Sequence, residues 1–294
     1  MNLPGNTAYF AYLPSCVLRA TGPDAPVFLQ GQFTNDLGKM TTGGSAYGLW
    51  LDRRGRVVAD SQVVRGPSEG EYFIVSGRSD PAALSEHLRA HIIADEVEVW
   101  DETGAWRGLA LLGAGTGAWL ASARRPGFFF PGRRSRDENF EWIVPAADWA
   151  EAESAVSGLG ALEPPAVELL RIRAAIPSVP ADIGPADIPN EGGLDAEAIS
   201  YSKGCYLGQE VMAKVKALGR VRRKLVRVRG AGEPPPLPAA LWRGEERAGD
   251  LRSAARDGGG FEGLALVAVG AATASAGFSL DRGAAPTVVQ LDNP

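Results

Sequence analysis

Apolar and polar positions alternate between two periods along this chain, and the switches mark out its elements. Near the start, Gly22-Pro23-Asp24 interrupts an apolar stretch, and Asp24 is placed to cap a helix carrying Val27, Phe28 and Leu29. After Gly43-Gly44, Ala46 to Leu51 and Val57 to Val64 have strand character around the turn Asp52-Arg53-Arg54-Gly55, with Tyr72 to Val75 as a third strand. Asp80-Pro81 is a helix start, a capping acid followed by proline, and Leu84, Leu88 and Ile92 fall at helical spacing. Val97 to Trp100 alternates as a strand. A second unit is expected from Trp106, with a strand at Leu109 to Leu112, a glycine turn at Gly113 to Gly117 and a helix from Trp119 to Ala123. Phe128 to Phe130 and Phe140 to Val144 should pair across the charged turn Arg133 to Glu138. Helices are expected over Ala146 to Val156 and from Pro164-Pro165 through Ile172 to Pro177.

Residues 177–195 are too rich in Pro and Gly for a regular element, and long ordered loops of this kind are usually functional. Beyond Val221 the texture becomes short strands: Leu225 to Arg229, Ala239 to Trp242, Arg247 to Arg252, Leu264 to Val269 and Thr287 to Leu291. Regular short strands with Gly and Pro between them predict a small β-barrel or sandwich. No sequence repeat connects the three units.

Composition narrows the class. The 294 residues are 45% hydrophobic and 22% charged, which excludes a disordered tail, a collagen and a coiled coil. No apolar run of roughly eighteen residues is present to span a bilayer, and Met1 to Gly5 lacks the features of a signal peptide. Two cysteines, Cys16 and Cys205, cannot make a disulfide scaffold, so a reducing cytoplasm is expected. The net charge of −5 is uneven: Lys214, Lys216, Arg220, Arg222, Arg223, Lys224, Arg227 and Arg229 contribute eight cations in a stretch without an acid. Such a run is either a solvated face or an anion site, and it has no interleaved aromatics to stack bases.

The most unusual window is Ser202-Lys203-Gly204-Cys205-Tyr206-Leu207-Gly208-Gln209-Glu210. A helix from Gln209 to Ala217, closed by Gly219, puts Cys205 just before a helix N-terminus with Lys203 two residues away. Both features favour a thiolate. A small buried cysteine in a loop that merely needs its glycines is the alternative. Other motifs carry less. Gly113-Ala114-Gly115-Thr116-Gly117 superficially suggests a dinucleotide loop but reads better as a plain strand-to-helix turn, since no acid-ended second strand follows. His87 and His91 have the spacing of a helical zinc pair without a third ligand, which favours structural histidines. Cys16 is expected to be buried filler.

The window Lys203-Gly204-Cys205-Tyr206-x-Gly208-Gln209-Glu210 resembles the signature of the YgfZ family of folate-binding proteins, relatives of the glycine-cleavage T-protein. Leu18 to Ala25 with Phe28 to Asp36, then Leu51-Asp52-x-x-Gly55-Arg56-Val57, Leu170-Arg171-Ile172 with Ile176-Pro177, and Ile188 to Glu191 resemble further family segments in order, covering about residues 8–230. The resemblance implies an α+β fold of three modules around a central opening: 1–105 and 106–220 as T-protein-like α+β units, with the 202–210 loop returning to the opening, and 221–294 as a β-barrel. It implies tetrahydrofolate or a derivative as ligand, and a role in assembly or repair of iron–sulfur proteins that affects tRNA modification indirectly. Expected partners are therefore folate and iron–sulfur proteins or their assembly factors, without direct nucleic acid or membrane binding.

On that basis Cys205 and Lys203 are the candidate reactive pair. Gln209, Glu210, Tyr206, Arg171, Glu191, Asp60, Arg222 and Arg223 are candidate folate contacts, the last two for its anionic tail. Some positions depart from the T-protein pattern. Arg173 stands where its Arg-Leu-Glu-Ala-Gly motif has the carboxylate, Ala59-Asp60 keeps one of two aspartates, and Lys214 replaces an arginine usual in YgfZ proteins. These departures weigh against aminomethyl transfer, which needs a positioned carboxylate. A folate-dependent aminomethyltransferase or demethylase is the alternative function, and a scaffold that has lost its ligand the next.

Overall fold

The computed structural model describes residues 7–122, 124–272 and 277–292. Met1 to Gly5, and Ala123 at the expected end of a helix, lie outside the described residues. The chain begins with β1 (Ala8–Tyr12) and continues through β2 (Cys16–Thr21), α1 (Ala25–Gln32), β3 (Ser45–Leu51), β4 (Val57–Arg65), β5 (Tyr72–Ser76), α2 (Pro81–Arg89) and β6 (Glu98–Asp101). The expected strands and helices of the first unit all form. Asp80 caps α2 as its sequence position dictates, accepting from the Ala82 N–H at 3.0 Å. Asp24 precedes α1 without capping it, and its carboxylate instead accepts the Glu96 N–H.

The second unit holds β7 (Trp106–Leu112), α3 (Thr116–Ala121), β8 (Phe128–Pro131), β9 (Asn139–Pro145), α4 (Trp149–Val156), β10 (Gly160–Ala161) and α5 (Pro164–Arg173). The helix expected from Ala146 starts as a 3-10 turn and becomes α-helical only at Trp149. The one expected to reach Pro177 stops at Arg173, because Ala175 turns into the left-handed region at φ 54°. After it, the 177–195 stretch contains a 3-10 turn (Pro189–Gly192) and leads into α6 (Asp195–Ala198) and α7 (Gln209–Leu218).

Two five-stranded sheets result, ordered β3-β4-β5-β2-β6 and β10-β1-β7-β9-β8. Each unit runs strand–helix–strand–strand–helix–strand in the split βαβ arrangement, with β3 added at the edge of one sheet and β1 inserted between β7 and β10 in the other. The repeat is therefore one of topology, without any sequence periodicity to reveal it. It also moves β1 out of the first unit, where the chain order places it, because β1 pairs with β7 and β10.

The sheets pack face to face. Val17, Val64, Phe73 and Val75 of the first meet Phe130 and Ile143 of the second. The outer faces are covered by α1 and α2 over Leu18, Trp50 and Ile74, and by α3 and α4 over Leu109, Leu111 and Trp142. Strand β2 is consequently buried on both faces at Cys16, Val17 and Leu18, which is why it reads as a continuous apolar run.

The C-terminal sheet holds β11 (Arg223–Ala231), β12 (Ala239–Arg243), β13 (Glu246–Asp257), β14 (Gly260–Ala268), β15 (Gly277–Phe278) and β16 (Val288–Leu291), ordered β12-β13-β14-β11-β16-β15. Reciprocal hydrogen bonds between Trp242 and Ser279 bring its two ends together, so the sheet is nearly closed into the expected barrel. A shared core of Leu49, Leu51, Ile172, Ile183, Met212 and Leu264 joins the first sheet, the connector and the barrel.

Candidate functional site

The chemistry-bearing cleft opens where the two five-stranded sheets part. On β4, residues 60, 62 and 64 share the face turned toward the second sheet, since side chains alternate along a strand. Val64 enters the intersheet core, while Gln62 and Asp60 break the apolar face and line the cleft. Tyr47 of β3 and Ser76 of β5 join them from the first sheet. Tyr12, Phe130, Glu141, Arg133 and Arg134 come from the second, and Ser178 and Val179 of the connector close one side. The cleft is open at its mouth, with an interior volume of about 100 Å³.

Asp60 is the central group. Its carboxyl accepts from the Tyr47 hydroxyl at 3.0 Å, Ser79 at 3.1 Å and Ser76 at 3.2 Å, with Arg133 4.0 Å away. Burial raises its pKa above the ordinary value despite the opposing pull of Arg133 and these hydroxyls. The Arg133 guanidinium stacks on the Tyr47 ring, 3.8 Å from its centroid, and pairs with Glu197 of α6. Arg134 binds Glu141 at 2.7 Å, and Tyr12 donates to the same carboxylate at 2.6 Å. Three buried atoms lining the cleft have no hydrogen-bond partner among the described residues: Gln62 Oε1, Arg133 Nε and Ser178 Oγ. Each unmade bond of this kind costs about 1–3 kcal/mol unless water or another polar group supplies the partner.

Of the residues singled out in the sequence, Asp60 lines this cleft and Arg171 reaches its edge. Arg171 is fully engaged, however. It donates to Asp182 at 2.7 Å, to Ser253 at 2.8 Å, to the Ile176 carbonyl and to Glu168, tying α5 and the connector to the barrel. The signature loop lies elsewhere, against the end of α1. The buried Lys203 ammonium donates to the carbonyls of Gln30 at 2.6 Å and Asn35 at 3.0 Å and to that of Phe33, and the Leu207 N–H donates to Gly31. Those carbonyls include the unsatisfied C-terminal ones of the helix, whose dipole favours a cation. Burial lowers the Lys203 pKa to about 8, with Asp36 opposing. All three ammonium protons are thus taken by carbonyls, which seats the signature loop on the end of α1.

Cys205 itself is free and exposed, while Tyr206 is buried in the shared core. Gln209 and the exposed Glu210 open α7, outside the cleft lining. Glu191 does not face the cleft. It pairs with Arg223 at 2.8 Å, and Arg223 also binds Asp187 at 2.9 Å. Arg227 and Arg229 converge with Arg173 on the buried Glu262, so with Arg223 three of the eight cations of the basic run neutralise buried acids, while Lys214, Lys216, Arg220, Arg222 and Lys224 are exposed. The Asn35 side chain donates to the carbonyls of Tyr47 and Glu197, tying β3 to α6.

The remaining motifs find local roles. Glu138 accepts the Gly115 and Gly117 N–H groups, the donors a phosphate would need, and the sheet here is antiparallel. His91 Nδ1 bonds the His87 carbonyl, and burial, then His91, pushes the His87 pKa down to about 4. Cys16 is fully buried, and its thiol is pushed up to about 12 by burial and nearby aspartates. Among the described residues, no group of three or more His, Cys, Asp or Glu side chains could hold a metal ion, and no helix is long and apolar enough to cross a membrane. The sequence reasoning missed Tyr47, Gln62, Arg133 and Ser178. A signal existed only for Gln62, two residues from Asp60 and so on the same face of β4.

The GCVT N-terminal domain model matches residues 17–125. The chain is 29% identical over 246 residues to "tRNA-modifying protein YgfZ" of Edwardsiella ictaluri, covering 79% of this chain and 73% of that protein. It is 26% identical over 243 residues to "Iron-sulfur cluster assembly factor IBA57 homolog, mitochondrial" of Phaeosphaeria nodorum, which covers 74% of this chain but only 55% of that relative's length. The crystal structure of the glycine cleavage system aminomethyltransferase T from Bartonella henselae superposes with a TM-score of 0.79 at 20% identity, over 97% of this chain and 85% of that one. The chain thus carries a GCVT N-terminal domain over residues 17–125, has the fold of the T-protein, and is similar in sequence to YgfZ and IBA57 proteins.

Proposed function

We propose that this protein binds tetrahydrofolate or a derivative in the cleft between its two sheets and serves assembly or repair of iron–sulfur proteins, with tRNA modification as an indirect consequence. The observation that carries the ligand assignment is the buried carboxyl of Asp60 beside three unpartnered polar atoms in one cleft. A flat heterocycle rich in N–H and C=O groups fits that donor set. Asp60, Gln62, Arg133 and Ser178 would hold it, between walls that include Tyr12 and Phe130. Bound there, the group would supply one-carbon carriage, and the protein's part would be to orient it and exclude water. The client role rests on the likeness to YgfZ and IBA57 proteins, with iron–sulfur proteins or their assembly factors as partners. A reducing compartment, either the expected cytoplasm or the mitochondrion named for the fungal relative, suits the two free cysteines.

Aminomethyl transfer is the weaker proposal. At the position of the T-protein motif carboxylate, Arg173 turns to the barrel and pairs with Asp257 and Glu262. Calorimetric titration with tetrahydrofolate tests the ligand assignment. Binding should weaken at least ~10-fold in Asp60→Asn, and no heat with the unmodified protein would leave the scaffold reading. Turnover of an aminomethyl donor would instead establish the transferase. The exposed Cys205 remains the proposed reactive thiol. Cys205→Ala should fold normally yet fail to complement a deletion strain, and full complementation would remove the thiol from the proposal.

A further inference from the structure

The cleft carries more than shape, because its unpartnered atoms have fixed polarity. Gln62 is 9% exposed, and its Nε2 donates to the Pro131 carbonyl at 3.2 Å. Flipping the amide would set oxygen against oxygen, so Oε1 is held as a free acceptor. Arg133 Nε can only donate, and Arg133 lies two residues beyond the Pro131 that anchors Gln62. An acceptor on β4 and a donor just beyond β8 therefore belong to residues that line the same cleft. Ser178, 3% exposed, adds a hydroxyl that can act either way.

The ligand edge that satisfies both fixed groups is a cis-amide, an N–H beside a C=O. A 4-oxo pterin presents this edge at N3–H and C4=O. A 4-amino pterin inverts it, with N3 as acceptor and the amino group as donor. We propose that Gln62 and Arg133 read the amide edge of a 4-oxo pterin and reject its 4-amino counterpart. This deepens the folate assignment and rests on it. A site that leaves a buried donor facing a donor and an acceptor facing an acceptor discriminates strongly, because neither group can return to water.

The test is calorimetric titration of the full chain, kept anaerobic, with tetrahydrofolate and with 4-amino-tetrahydrofolate, which differ only at this edge. The unmodified protein should bind tetrahydrofolate roughly 30-fold more tightly or better. Gln62→Met should weaken tetrahydrofolate binding roughly 10-fold and shrink the preference to a few-fold. Ser178→Ala should weaken both ligands alike, since a hydroxyl adapts to either polarity. Equal binding of the two ligands by the unmodified protein, or an undiminished preference in folded Gln62→Met, overturns this inference while leaving the folate assignment standing. Binding of neither ligand overturns both.

Discussion

Gly208, inside the signature loop, offers a direct test of how the loop is seated. It adopts φ +84° as the residue before α7, a left-handed conformation that disfavours any side chain by about 1–2 kcal/mol. A Cβ at this position would also lie 2.8 Å from the Asp52 carbonyl oxygen and 3.2 Å from the Leu51 Cβ, on the β3–β4 turn of the first sheet. Neither neighbour is the free end of a flexible side chain, so the loop and the turn would have to separate. Forced separation of packed groups adds roughly 1–3 kcal/mol. Gly219 at the other end of α7 provides the control: it has φ +60°, and a Cβ added there would meet nothing within 4 Å. Gly219→Ala should therefore lose only the conformational part, about 1 kcal/mol, and Gly208→Ala about 3 kcal/mol. In urea unfolding at unchanged m, the two variants should differ by roughly 1 M in midpoint. Equal losses would refute the reasoning, since backbone conformation alone would then explain the signature glycine and the close approach would be irrelevant.

Two further predictions concern the charges. Burial alone would raise the Glu262 pKa, but hydrogen bonds from Arg227, Arg229 and Arg173 outweigh it and hold the carboxyl at about 2 against an ordinary 4.5. A depressed folded-state pKa means that the stabilisation is complete above about pH 4.5 and is lost as the pH falls toward 2. Its size is roughly 1–2 kcal/mol once the exposure of Arg173 and Arg229 is discounted, and Glu262→Gln should flatten thermal stability across that window. Arg223→Ala should lower stability by about 2–3 kcal/mol, because it leaves Asp187 and Glu191 buried with less compensation. The same variant should leave tetrahydrofolate affinity within about twofold of the unmodified protein, a loss of about tenfold or more being the contrary result.

The elements themselves were legible in the sequence because local rules govern them. Asp80-Pro81 starts a helix wherever it occurs in such a context, Gly219 closes α7, and the short C-terminal strands form a barrel whose ends meet at Trp242 and Ser279. The motif around Cys205 was legible too, since an eight-residue pattern needs no coordinates. Partnership was not. Nothing local distinguishes a lysine beside a thiol from one that clasps three carbonyls at and beyond the end of α1, or an arginine that recruits an anion from one that neutralises Glu191, Asp187 or Glu262. Those outcomes depend on which distant groups are brought within about 3 Å and shielded from water. The sequence by itself determined the strands, the helices and the signature loop. Only the tertiary structure decided that β1 joins the second sheet, and that the parting of two packed sheets leaves Asp60, Gln62, Arg133 and Ser178 facing one cleft. Burial is a property of the assembled layers, and it is burial that turns ordinary polar residues into a recognition surface.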